Sequence, residues 1–428
     1  MFFKLLKDAL KVKNVRNKIL FTIFIIFVFR VGTHVTVPGI NAESLKQLSD
    51  LPFLNMLNLV SGNAMNNFSI FSMGVSPYIT ASIIVQLLQM DIYPKFVEWG
   101  KQGEVGRRKL NQATRYITLV LAFVQSIGIT ASFNTLSSIS LVKTPNVSTY
   151  LLIGTILTAG SIIVTWLGEQ ITDKGFGNGV SMIIFSGIIA SIPKMFSTIY
   201  EDFFVNVRSG ELTRSYIIVA LLIVVGLAIV FFTTFVQQAE YQIPIQLVQG
   251  APTSSYLPLK VNPAGVIPVI FASSITTIPS TILPFFSKVT WLSHLQGLLS
   301  YNTPSGMITY AILIILFSFF YTFVQVNPEK TAENLQKNGS YIPSVRPGRE
   351  TEKYMSSLLK RLATIGAVFL AFISLAPIAA QQFMHLTSSI ALGGKSLLIL
   401  ISTGIEGMKQ LEGYLLKRQY VGFMNLED

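Results

Sequence analysis

The sequence predicts an all-α polytopic membrane protein: ten transmembrane helices arranged as two inverted five-helix halves. Three observations carry this. Hydrophobic residues make up 51% of the 428 positions and charged residues only 12%, with mean hydropathy +0.56, whereas a soluble domain is about 25% charged. Apolar runs bounded by charges and Gly/Pro turns recur ten times along the chain. Finally, Lys and Arg segregate. With the N-terminus placed in the cytosol, 24 of them fall on that side and seven on the other, apart from Arg30 inside the first run. Basic residues accumulate on the cytosolic side of a membrane protein, so both termini are expected there. The formal charge of +12 is then a topology signal rather than a nucleic-acid footprint, and no DNA partner is expected.

The elements follow in order. Residues 1–17 form a basic, partly amphipathic cytosolic segment. The apolar run after it leads to no small-residue cleavage site, so it reads as a first span, 18–37, rather than a removed signal peptide. Further spans are expected at 75–90, 114–133, 149–168, 178–198, 215–237, 263–285, 304–326, 357–377 and 389–411. The second is only half the length of a spanning helix, which needs about 20 apolar residues, and Pro77 and Tyr78 split it from the residues before. The fifth begins and ends on breakers. The seventh carries Pro263, Pro268, Pro279 and Pro284 among hydroxyl residues.

The polar stretch 200–214 reads as an external hinge between halves 18–199 and 215–411, with 412–428 as a cytosolic tail. Five spans per half force the second half upside down relative to the first. In such folds interrupted helices line a path at the interface between halves. Here the interrupted spans are the second of each half.

Composition excludes much chemistry. Cysteine is absent, which removes thiol catalysis and Cys-ligated metals. His34, His294 and His385 are scattered near span boundaries, with no metal-ligand spacing and no phosphate-binding loop. No cofactor, and no enzymatic activity, is expected. An ion-coupled transporter keeps ionisable groups inside its spans. Here the spans hold almost none: Arg30 lies in the outer half of the first, read as snorkelling or capping, while Glu169 and Asp173 sit at a span end. A path of aliphatic and hydroxyl residues suits a conduit sealed by apolar contact. A secondary transporter of a small solute is the rival class, and it would need a compact polar site at midplane.

Six segments in order resemble the SecY family, the channel subunits of bacterial protein export. They are FRVGTHVTVPGI (29–40), SIFSMGVSPYITASIIVQLL (69–88), GEVGRRKLNQATRY (103–116), KGFGNGVSMIIFSGI (174–188), LPLKVNPAGVIPVIFASSI (257–275) and NPEKTAENLQKNGSYIPSVRPGRETEKY (327–354). The resemblance implies a clamshell around a central hourglass pore in the bacterial cytoplasmic membrane. It conducts unfolded secretory polypeptides, with their signal peptides, and releases hydrophobic segments laterally into membrane lipid. Its implied partners are SecE-like and SecG-like small subunits, the SecA motor and the ribosome. An accessory SecY for specialised substrates is the variant reading.

Carried over residue by residue, the resemblance implies a pore ring of Val75, Ile79, Ile184, Ile188, Ile270 and Ile399. It implies a plug at about 57–68, including Ser61, Gly62, Asn63, Ala64, Met65, Asn66 and Asn67, whose polar residues suggest loose packing. It implies a lateral gate between spans two and seven, where Gln86, Ser273 and Ser274 are expected to bond weakly across helices. The cytosolic loops 237–262 and 327–356 would dock SecA or the ribosome through Arg346 and Pro347, with Arg418 and Tyr420 in the tail as a further contact. The tip of the first loop, QLVQGAPTSSY, lacks the basic residues many relatives carry there.

Overall fold

The computed structural model describes residues 9–41, 61–62, 64–90, 92–136, 141–205, 212–247, 255–282, 303–384 and 393–424. Among these, each expected span overlaps one helix. They are α1 (Lys13–Gly32), α2 (Ser76–Leu88), α4 (Gly103–Leu136), α5 (Val147–Lys174), α6 (Gly179–Tyr200), α7 (Leu212–Gln238), α8 (Ile267–Ile282), α9 (Pro304–Gln325), α11 (Arg349–Met384) and α12 (Gly393–Met424). Two helices lie between spans, α3 (Pro94–Lys101) and α10 (Pro328–Lys337). Six helices are long and apolar enough to cross a membrane, and α2 and α8 are shorter apolar ones.

Local chemistry explains most starts. Asn178 Oδ1 accepts from Val180 N (3.1 Å) and Ser181 N (3.3 Å) to cap α6. Thr303 caps α9 and Asn327 caps α10, each followed by proline at the first helical position. Asn and Thr are favoured caps because a side-chain oxygen satisfies an orphan N–H, and proline's missing N–H costs nothing there.

Three boundaries differ from expectation. Pro77 does not break a helix: it sits in the first turn of α2, and turns at 70–75 lead into it. Pro193 does not end α6, which runs on to Tyr200 and into a π-turn at Glu201–Val205. Around it the Ser191, Ser197 and Thr198 hydroxyls donate to the carbonyls of Ile188, Pro193 and Lys194. The tail is not separate, since α12 continues through 412–424.

The chain is also not wholly helical. Strands β1 (Glu240–Leu247), β2 (Ser255–Lys260) and β3 (Ser340–Tyr341) form an antiparallel sheet in the order β2-β1-β3. EYQIPIQL alternates polar and apolar residues, the pattern of a half-buried strand, and along SYLPLK burial alternates, with Leu257 and Leu259 less exposed than Tyr256, Pro258 and Lys260. Ile243 and Leu259 turn inward to pack with Ile342, Met355, Leu359 and Leu362. The sheet thereby welds the two long loops into one platform. Lys409 of α12 pairs with Glu240 at its edge, 2.7 Å away.

The helices meet through small residues. Gly160 of α5 lies against the carbonyl oxygen of Ile70, and Ser161 Oγ donates to Gly74 O at 3.0 Å. A methyl group at Gly160 would collide with that carbonyl, which is backbone and cannot swing aside. Gly160→Ala is expected to lower stability by about 1–3 kcal/mol, the usual cost of overpacking. Detergent-solubilised variant and parent, compared by thermal unfolding, will show a lower midpoint in the variant.

Candidate functional site

Along α6, three layers follow one another. The first is a cavity of about 330 Å³. Val180, Ser181 and Ile184 of α6 line it, together with Arg107, Glu169 and Asp173 from the ends of α4 and α5. Arg115 Nε donates to Glu169 Oε1 at 3.1 Å and its Nη2 grips the other carboxylate oxygen, so the cavity wall is braced by a two-pronged ion pair. Charges at the mouth keep it wet. Ile79, Ile184 and Ile270 also line the cavity and end it in apolar surface.

The second layer is that apolar surface. Val75, Ile79, Ile184, Ile188, Ile270 and Ile399 are all buried and belong to one continuous apolar cluster. They come from four different chain regions. Val75 O accepts from Ile79 N (3.0 Å), which stacks those two one turn apart, and Ile184 and Ile188 have the same spacing on α6. Side chains four apart on a helix share a face. A closed cluster of aliphatic groups offers water no hydrogen bond, the property of a dewetting gate.

The third layer is the segment around 61–68. Ala64–Asn67 form a short 3₁₀ turn. The expectation of loose packing is corrected here: Ser61, Gly62, Ala64 and Met65 are buried. Ala64 joins the ring's own cluster, while Met65 and Phe68 enter a second one with Phe133, Ile153 and Leu157. The glycine, not the polar residues, makes the fit. A Cβ on Gly62 would stand 3.3 Å from Gly187 Cα and 3.0 Å from the Phe29 ring. Asn66 and Asn67 are half-buried. Asn63 and 57–60 lie outside the described residues.

The α2–α8 contact differs from expectation in its bonds. The two helices pack together, but Gln86 Nε2 donates to Ser82 Oγ (3.1 Å) and Ser273 Oγ to Ile270 O (2.8 Å), each within its own helix. Gln86 Oε1 and Ser274 Oγ are buried without a hydrogen-bond partner. A glutamine one turn from a serine finds a partner on its own helix before it finds one across an interface.

Arg346 and Pro347 are exposed on the platform, where the Arg346 carbonyl accepts from Thr351 Oγ1 at 2.9 Å. Ser344 takes a left-handed conformation (φ 67°) and Gly348 another (φ 97°), so the turn is sharply bent on both sides of the arginine. For Arg418 and Tyr420 only the backbone, within α12, is described; their side chains lie outside the described set.

Sequence reasoning missed the central role of Arg30. It neither snorkels nor caps. Its Nη1 donates to Gly62 O and its Nη2 to Ser186 O, both at 2.8 Å. An ionisable residue inside a span was the signal available.

A cavity with charged residues in its lining ends on a buried aliphatic cluster that also holds Ala64, among helices long and apolar enough to cross a membrane, a layout that suits a membrane channel. Comparison with known proteins then narrows the class. The SecY family model matches residues 69–408. The chain is 70% identical over 435 residues to protein translocase subunit SecY of Streptococcus sanguinis (strain SK36), covering 100% of both. Its fold is similar to a solved structure of a protein conducting channel, with TM-score 0.64 at 16% identity over 92% of this chain and 91% of that one. It is likewise similar to Sec61 in the canine ribosome–channel complex from the endoplasmic reticulum, with TM-score 0.61 at 17% identity over 92% and 91%. The chain belongs to the SecY family and is a membrane-embedded, protein-conducting channel subunit.

Proposed function

We propose that this subunit works as two inverted halves of five spans, 18–199 and 215–411, hinged at 200–214 around an hourglass pore. The cavity beside Glu169 and Asp173 is the cytosolic funnel, the six aliphatic residues are the waist, and 57–68 is the plug on the outer side. Both termini lie in the cytosol, and the membrane is the bacterial cytoplasmic membrane. The observation that carries this reading is that residues from spans two, five, seven and ten close one apolar cluster between the cavity and the plug segment.

Secretory polypeptides pass through the ring unfolded, and hydrophobic segments leave between α2 and α8. The unpartnered oxygens of Gln86 and Ser274 favour easy parting there: a contact that already leaves polar atoms unsatisfied loses little on opening. SecA or the ribosome drives transport from the platform that carries Arg346 and Pro347, with Arg418 and Tyr420 beside it, and SecE-like and SecG-like subunits complete the assembly. The test is reconstitution with those small subunits and SecA in proteoliposomes. ATP-dependent protection of a secretory precursor from protease is the expected result. Protection no greater than in SecA-free vesicles refutes the reading.

A further inference from the structure

An arginine within a membrane span is costly to place there, so its partners matter. Arg30 is half-buried and reaches two backbone carbonyls from different parts of the chain. Gly62 O belongs to the plug segment; Ser186 O belongs to α6, between ring residues Ile184 and Ile188. Hydrogen bonds from a charged donor are stronger than neutral ones. The planar guanidinium holds two donors at a fixed angle, so one side chain clips the plug to the helix that carries the ring.

The other bonds to the segment are neutral: Asn67 Nδ2 donates to Thr33 O at 3.4 Å, Ser72 Oγ to Ala64 O at 3.1 Å, and Val37 N to Phe68 O at 3.0 Å. Ser61 Oγ is buried without a partner. Phe68 closes the segment in a left-handed conformation, φ 40°, which is costly for a residue with a Cβ. The Gly62–Gly187 approach leaves no side chain between the two backbones. The seated plug thus carries local strain, and Arg30 supplies a charge-assisted attachment among neutral ones.

We propose that Arg30 is the positioning residue that latches the plug, setting how often the resting channel opens. This rests on reading 57–68 as the plug. The chain has no cysteine, so a single Ala64→Cys probe, at a fully buried site, reports plug release by its reaction with a membrane-impermeant maleimide. In proteoliposomes, a translocating precursor should speed labelling in the Arg30 parent; if it does not, the plug reading fails. In resting vesicles, Arg30→Met should raise the labelling rate about tenfold or more, as losing two charge-assisted bonds implies. Arg30→Lys, which keeps the charge and loses the fork, should fall between. A second probe at Leu359→Cys, buried in α11 within a cluster that holds no residue of 61–68, should stay protected throughout.

Two results overturn the latch while leaving the plug intact. One is a parent whose plug responds to precursor while neither Arg30 variant alters resting labelling. The other is equal exposure of both probes in the variants, which would mean general loosening. If Arg30→Met fails to reach the membrane, Arg30→Lys decides: labelling at the parent rate refutes the fork.

Discussion

Replacing Ile270 with Asn will make the resting channel leak ions and admit clients with defective signal sequences. Ile270 is buried in the apolar cluster that also holds Val75, Ile188 and Ala64. A buried amide without partners costs about 1–3 kcal/mol in proteins. That cost applies only to the closed state, because in the open state the side chain meets water and client backbone. The closed state therefore loses roughly 10- to 100-fold in relative population, at about 1.4 kcal/mol per decade. Ile188→Asn should behave alike, since Ile188 is as deeply buried. Planar-bilayer conductance checks the leak, and export of a precursor with a broken signal sequence checks the selectivity. Tight bilayers with unchanged selectivity in both variants would remove these residues from the ring.

Reversing charge at Arg346, as Arg346→Glu, will impair SecA-driven export by tenfold or more while sparing ribosome-driven insertion to a greater degree. The side chain is exposed and held out by a bent turn, with its own carbonyl tied to Thr351. It contributes nothing to the platform's apolar core, which is built from Ile243, Leu259, Ile342 and Met355. A surface change away from such packing alters stability by about 0.5 kcal/mol or less, so a large loss of transport reports a broken contact. Truncating one partner of an interfacial charge pair costs about 2–5 kcal/mol, and reversal adds repulsion. Parallel assays of SecA-dependent translocation and co-translational insertion separate the two routes. An equal loss in both would point to damaged folding.

The membrane helices were legible because a bilayer imposes its own length and polarity on each span, and the chain's charges record which side each loop occupies. The ring was legible only in part. A spacing of four places Ile184 and Ile188 on one face, but nothing local says that this face meets Ile270 and Ile399, so the family motifs had to supply it. Arg30 shows the limit most clearly. Its partners lie 32 and 156 residues away and are backbone oxygens, which carry no side-chain signature. The polar residues of the plug pointed toward a loose segment, whereas Gly62 against Gly187 decides the packing. The sheet was overlooked because its strands, interrupted by prolines, lie in loops read by length and polarity alone. Gln86 and Ser273 had suitable chemistry for a cross-helix bond, yet a nearer acceptor on their own helices won.

The cavity above the ring has an electrical consequence. Its volume of about 330 Å³ is many times the roughly 10–15 Å³ that one water needs, so water can reach down to Ile79, Ile184 and Ile270. On the proposed reading of ring and plug, the membrane voltage then falls across that thin partition rather than across the full bilayer of about 30 Å. A unit charge crossing the whole voltage exchanges about 2.3 kcal/mol per 100 mV, and focusing delivers much of that over a few ångströms. Arg30 sits at this partition with its charge tied to the plug's backbone. The resting insulator is therefore also where a polarised membrane exerts its greatest force on the protein.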